Sequence, residues 1–204
     1  MRHSEKVFNM NRLLIILILT LSFQSWTKAD DIRDFEIEGI SIGDSLLDHF
    51  SLEEINKKRK VYYPNSKKYF QLNFFNYKSL TTYDHLGFLI KENDKNFIVY
   101  EFKGSIDYKK NIKDCYKKES IIVSEIKKDL NTNNIKNYGK TKHQADKSGK
   151  STKTATQFYF ENGGVLKVSC FDWSKEWEKK GEIDNLKISI ASAEAFNWFI
   201  NEAY

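Results

Sequence analysis

The chain predicts an α+β domain, a mostly antiparallel sheet of about six strands built from hairpins with helices packed against it. Three observations carry this. Aromatic-rich runs alternate apolar with polar residues, as half-buried strands do. Short turn signals, Glu92-Asn93-Asp94-Lys95 and Asn162-Gly163-Gly164, join neighbouring runs as hairpins. Between the two hairpin blocks, Ile112, Cys115/Tyr116, Ile122/Val123, Ile126 and Leu130 recur at helical spacing.

In chain order, residues 35–42 alternate and read as a short edge strand or extended lead-in. Gly43-Asp44-Ser45 then caps a helix through Leu46, Leu47 and Phe50, and Ser51 starts a further turn. Strands follow at 68–77, 82–91 and 96–106, and then the amphipathic helix at 109–130. Residues 131–153 hold only Ile135, Tyr138 and Ala145 as apolar or aromatic side chains, so they read as a solvated loop. A second hairpin, 154–161 with 165–172, leads to a short helix at 173–180 and a last strand at 184–191. Ser192 N-caps a closing helix that carries Ala195, Phe196, Phe199 and Ile200.

Residues 1–29 read as a secretory signal peptide. Arg2, Lys6 and Arg12 precede an apolar run from Leu13 to Phe23, and Thr27-Lys28-Ala29 offers small residues at a cleavage site. The run is about eleven residues where a spanning helix needs about twenty. Cleavage would leave Asp30–Tyr204, 175 of the 204 residues, as one domain in the periplasm or outside the cell. Retention as an anchor is the alternative, and Met10 is a second possible start. Removing Arg2, Lys6, Arg12 and Lys28 with Glu5 lowers the formal charge from +5 to +2. Only Arg33 and Arg59 then remain as arginines, which argues against a nucleic-acid partner.

Cys115 and Cys170 are an even pair in an exported chain, which is read first as a disulfide. Cys115 lies on the apolar stripe of the helix, and Leu166, Val168 and Cys170 alternate onto one face of a strand. Two buried thiols or a redox pair are the alternatives, and no Cys-x-x-Cys supports the latter.

Gly43-Asp44-Ser45-Leu46 spells the tetrapeptide that names the GDSL esterases and lipases, and the resemblance carries over to Ser45 as a nucleophile. Nothing else of that pattern matches. The Gly-x-Asn-Asp block has no counterpart, and none of His49, His85 and His143 has an Asp three residues earlier. A serine without a positioned base is a poor nucleophile. The same residues also suit a helix start, with Ser45 and Asp48 at capping-box spacing. Asp48-His49 and Asp84-His85 are adjacent pairs whose side chains diverge, so no metal or cofactor is expected.

Lys136, Lys140, Lys142, Lys147, Lys150 and Lys153 stand against Asp146 alone. They are candidates for contact with a protein or anionic envelope partner, or simply a solvated segment. Trp173 and Trp177 are candidates for a partner surface if exposed, and core if not. After signal cleavage no membrane span is expected.

Two stretches, Phe35-Glu-Ile-Glu-Gly-Ile-Ser-Ile-Gly-Asp-Ser-Leu-Leu and Phe158 through Cys170-Phe-Asp-Trp to Phe196-Asn-Trp, resemble small exported proteins of unassigned function from marine bacteria with AT-rich genomes. The resemblance implies a periplasmic or secreted location and brings no activity. The sequence therefore favours a non-enzymatic exported domain that binds a protein or envelope component. A Ser45 hydrolase and a small-ligand binder with an aromatic-lined pocket are the alternatives.

Overall fold

The computed structural model describes residues 31–75, 80–109, 111–130 and 134–204. The signal peptide assigned to residues 1–29 lies outside the described residues. Eight strands form one antiparallel sheet: β1 Val61–Tyr62, β2 Tyr69–Phe75, β3 His85–Lys91, β4 Val99–Asp107, β5 Ile135–Lys142, β6 Thr152–Tyr159, β7 Val165–Asp172 and β8 Asn185–Ala191. Among the described residues four α-helices accompany them: α1 Leu52–Asn56, α2 Ile112–Asp129, α3 Lys175–Glu178 and α4 Ala193–Asn201. The strand order is β1-β2-β3-β4-β8-β7-β6-β5. Two meanders thus meet edge to edge at β4 and β8, and each is followed by a helix. α2 packs on one face of the sheet and α4 on the other, so chain order repeats without a matching symmetry.

The sheet has eight strands where the sequence suggests six. The first addition is the two-residue β1, too short to show alternation. The second replaces the loop expected at 131–153. β5 is an edge strand exposed along nearly its whole length, so no apolar period marks it. Its backbone pairs with β6 from Ile135 opposite Phe158 to Lys142 opposite Thr152. Lysines on such an edge discourage pairing with a second chain. The turn beyond it is tied by the buried Asp146 carboxylate, which accepts from the backbone N–H and hydroxyl of both Ser148 and Ser151 at 2.6–2.9 Å. Those donors hold the Asp146 pKa well below the usual carboxylate range. The strand expected at 35–42 is instead a tight turn bridging Ile37 and Ile40, with left-handed Glu38 and Gly39 at its corner.

Alternation gives the sheet two unlike faces. Phe70, Leu72, Phe74, Leu86, Phe88, Ile90, Phe102, Leu166, Val168, Leu186, Ile188 and Ile190 are buried on one of them. The segment from Ile32 to Ile55 covers the first meander there, with Phe50 stacked on Phe74 at 4.3 Å. α2 covers β7 and β8 through Cys115, Ile122 and Ile126. Cys115 and Cys170 form a disulfide across this contact, with Cα atoms 6.1 Å apart and both residues fully buried. One turn along α2, the buried Glu119 accepts from Thr154 Oγ1 at 2.5 Å, and burial pushes its pKa up. On the other face α4 covers only one end of the sheet, where Trp198 meets Tyr69, Leu89 and Ala191.

The bridge spans 55 residues, so reducing it should cost about 4 kcal/mol in the chain-entropy argument. The urea midpoint is expected to fall when dithiothreitol is added. An unchanged midpoint would mean the bridge adds nothing beyond the packing around it.

Candidate functional site

The face left open by α4 carries the chemistry. Along β4 the residues Glu101, Lys103, Ser105 and Asp107 alternate with the core residues Phe102 and Gly104. Along β8, Asn185, Lys187 and Ser189 do the same against Leu186, Ile188 and Ile190. Strand register then builds two rows across the sheet centre. Lys103 lies opposite Ser189, which lies opposite Lys167 on β7. In the next row His85 on β3 faces Ser105, Ser105 faces Lys187, and Lys187 faces Ser169. Three lysines on three adjacent strands are thus interleaved with three serines.

A cavity of about 220 Å³ opens over the β2–β3–β4 side of these rows, lined by Gln71, Asn73, His85, Lys103, Ser105, Asp107, Asn185 and Lys187 among others, with Lys167, Ser169 and Ser189 outside it. The segment Gly181–Ile183, between α3 and β8, forms one wall. Gly87 keeps the floor low: a Cβ there would stand 3.0 Å from Lys103 Cγ and 3.2 Å from Asn73 Oδ1. On the β2 side the Gln71 amide donates to Asn73 Oδ1.

The cavity lining carries Lys103 and Lys187 together with the carboxylates of Asp107 and Glu182. Lys103 Nζ lies 3.4 Å from Oε2 of Glu101, which sits one row further along β4 opposite Ala191. Lys187 Nζ sits 4.4 Å from the centroid of the Phe171 ring. Burial lowers the pKa of Lys187 to about 8, helped by the charges of Lys103 and Lys167 and opposed by Glu101 and Glu182. Burial also lowers that of Lys167, against the attraction of Glu101. At the edge of the cavity His85 Nε2 and Asp107 Oδ1 are 3.1 Å apart. The Asp107 backbone N–H in turn donates to Asp84 Oδ2 at 2.8 Å. His85 Nδ1 is buried and has no hydrogen-bond partner.

Of the residues singled out in the sequence, His85 and Asp84 belong to this site and Lys153 lies close enough to act on Lys167, while the others lie elsewhere. Ser45 caps a 3-10 turn at Leu46–Asp48: its hydroxyl accepts from Leu47 N–H at 3.1 Å and donates to the Asn96 carbonyl at 2.6 Å. Both hydrogen-bonding roles of the hydroxyl are therefore used by backbone. Of the six lysines, Lys140 pairs with Asp172 and Lys150 with Glu176, each at 3.0 Å. Lys136 lies over its own neighbour Tyr138 at 4.9 Å. Lys142 and Lys147 are exposed, Lys142 lying along Gly149, and Lys153 is half-buried on β6. Trp173 and Trp177 are half-buried and stacked on each other at 5.3 Å, with Phe171 and His143 against Trp173 and Lys180 over Trp177. That stack satisfies its own ring faces. His49 lies 3.9 Å from Asp44, and among the described residues no three His, Cys, Asp or Glu side chains converge as metal ligands.

Lys103, Lys167, Lys187 and the His85–Asp107 pair escaped the sequence reading. The signal available was polar residues at period two on the outward side of confident strands, which normally means only a wetted face. No protein-family model, curated protein or solved structure was found to match the chain, so the functional reading rests on this geometry.

Two outcomes follow. Ser45→Ala should cost about 1 kcal/mol in urea unfolding, as loss of an N-cap does, and an unchanged midpoint would mean the cap is idle. For Lys187 the folded pKa is depressed, so the unfolded chain holds the extra proton between about 8 and about 10.4, and this residue makes stability rise with pH across that window. Lys187→Met should therefore be more stable than the parent at pH 7, by about 1–2 kcal/mol after discounting for water at a half-buried amine. The gap should close as pH climbs from 8 to 10. A gap that stays constant with pH would refute the depressed amine.

Proposed function

We propose that this chain is an exported, non-enzymatic domain that binds an anionic group of an envelope component in the cleft on the open sheet face. The observation that carries the reading is the convergence of Lys103, Lys167 and Lys187 on β4, β7 and β8, with serine hydroxyls between them. Like charges on neighbouring strands cost folding stability, and Glu101 and Glu182 offset them only in part. An anion bound among them would remove that cost, and ammonium and hydroxyl donors are what a carboxylate or phosphate needs. Export is supported by the basic, apolar and small-residue order of residues 1–29, by the disulfide and by the resemblance to small exported proteins. Among the described residues no helix is long and apolar enough to cross a membrane.

The sheet face suits an anion better than the edge hairpin does. Lys140 and Lys150 already hold carboxylates, whereas Lys187 faces two serines across the strands. The Ser45 hydroxyl, committed to two backbone groups, gives the hydrolase alternative no base.

Inorganic phosphate and malonate serve as probes. Titrating either into the full chain should shift the backbone amides of Lys103, Ser105, Lys187 and Ser189 along one saturable curve. Lys103→Gln and Lys187→Gln should each weaken that binding at least about tenfold, the effect of losing one charge-assisted contact. Shifts that never saturate, or that both variants preserve, would overturn the reading.

A further inference from the structure

We propose that Lys187 captures the carbonyl carbon of a small oxo acid as a reversible Schiff base, with the acid's carboxylate held by Lys103. The inference rests on the anion-binding reading of the same cleft and adds a covalent step to it. Lys103 and Lys187 both line the 220 Å³ cavity, a space suited to a ligand of a few heavy atoms. They sit on adjacent paired strands, Lys103 one row from Lys187, because Ser105 and not Lys103 is the direct partner of Lys187. Both side chains line the one cavity, so a ligand carrying a carboxylate beside a carbonyl is the class of molecule that would engage both.

The surroundings of Lys187 fit a nucleophile better than a simple counter-ion. Its cross-strand neighbours are the hydroxyl residues Ser105 and Ser169, and among the described residues no carboxylate lies within ion-pair distance of its amine. Lys103 has such a partner in Glu101. Lys187 also lies against the Phe171 ring, and Lys103 on β4 and Lys167 on β7 add positive charge close by. Glu101 on β4 and Glu182 before β8 oppose them in part. Desolvation and neighbouring cations are the two devices that keep a lysine amine neutral and reactive near physiological pH.

The chemistry balances without a redox partner. The neutral amine adds to the carbonyl carbon, a C–N bond forms, and the π pair moves onto oxygen, which takes a proton while the nitrogen gives one up. The carbinolamine then expels its hydroxyl with a proton as water, leaving C=N. Amine plus carbonyl gives imine plus water, and hydrolysis reverses it.

The test uses the full oxidised chain at pH 7 with glyoxylate and sodium cyanoborohydride, followed by peptide mass mapping. The expected result is a carboxymethyl group on Lys187 appearing at least about tenfold faster than on any other lysine, since ordinary lysines are almost wholly protonated there. Lys187→Arg should abolish that fast label. Lys103→Gln should slow labelling by glyoxylate several-fold more than labelling by propionaldehyde, which has no carboxylate and feels only the lost charge beside the amine. Label spread over exposed lysines with Lys187 no faster would overturn the capture. If phosphate and malonate still bind in that case, the anion-binding reading survives alone; if they do not, both fall.

Discussion

The pairing of β4 with β8 is the constraint on which the rest of the structure depends. It joins two meanders into one sheet, in register from Glu101 opposite Ala191 to Asp107 opposite Asn185. Because side chains alternate, this ladder sends Phe102, Ile188 and Ile190 to the core and Lys103, Ser105, Lys187 and Ser189 to the open face. A slip by one residue would put ammonium groups against α2 and phenylalanine into water, at a cost of many kcal/mol. The ladder that closes the fold is therefore also the one that builds the cleft. The disulfide reinforces it from the other side, fixing α2 against β7 and leaving β8 held between two strands.

An antiparallel sheet with one wet face is ordinary, and scattered lysines and glutamates would satisfy it. The central rows here do something else. They place same-sign charges on neighbouring strands and half-bury them, with Glu101 and Glu182 opposing in part. Folding alone does not favour that arrangement, since burial and mutual repulsion both push protons off the lysines. Groups with perturbed ionisation gathered in a cleft are the usual mark of a site where a ligand supplies the missing interaction. The apolar end under Trp198 and the core around Phe74 and Phe88 supply the stability that tolerates it.

Much of the architecture was legible in the sequence because its signals are local. Glu92–Lys95 and Asn162–Gly164 do connect strands, the helix around Cys115 runs from Ile112 to Asp129, and Ser192 caps α4 through Ala195 N–H. The two cysteines meet as their stripes imply. What was not legible depends on partners distant in the chain. β5 carries no alternation because an edge exposed on both sides needs none, and its lysines mimic a loop. The site escaped for the same reason: Lys103, Lys167 and Lys187 lie far apart in sequence, and only the order β4-β8-β7 makes them neighbours. The residues that stood out by eye, Ser45 and the Trp173–Trp177 pair, did so through local pattern, and the structure commits the Ser45 hydroxyl to backbone and stacks the two indoles on each other.

The central claim is that the lysine rows await an anion, and the most direct measurement follows the Lys187 side chain itself. Its Cε and Nζ resonances would be titrated with pH in the full oxidised chain, with and without saturating inorganic phosphate. The expected result is a midpoint near 8 for the free protein and an upward move when phosphate binds, because the anion stabilises the ammonium form. An ordinary lysine midpoint in both conditions, or a depressed one that phosphate leaves in place, would contradict it.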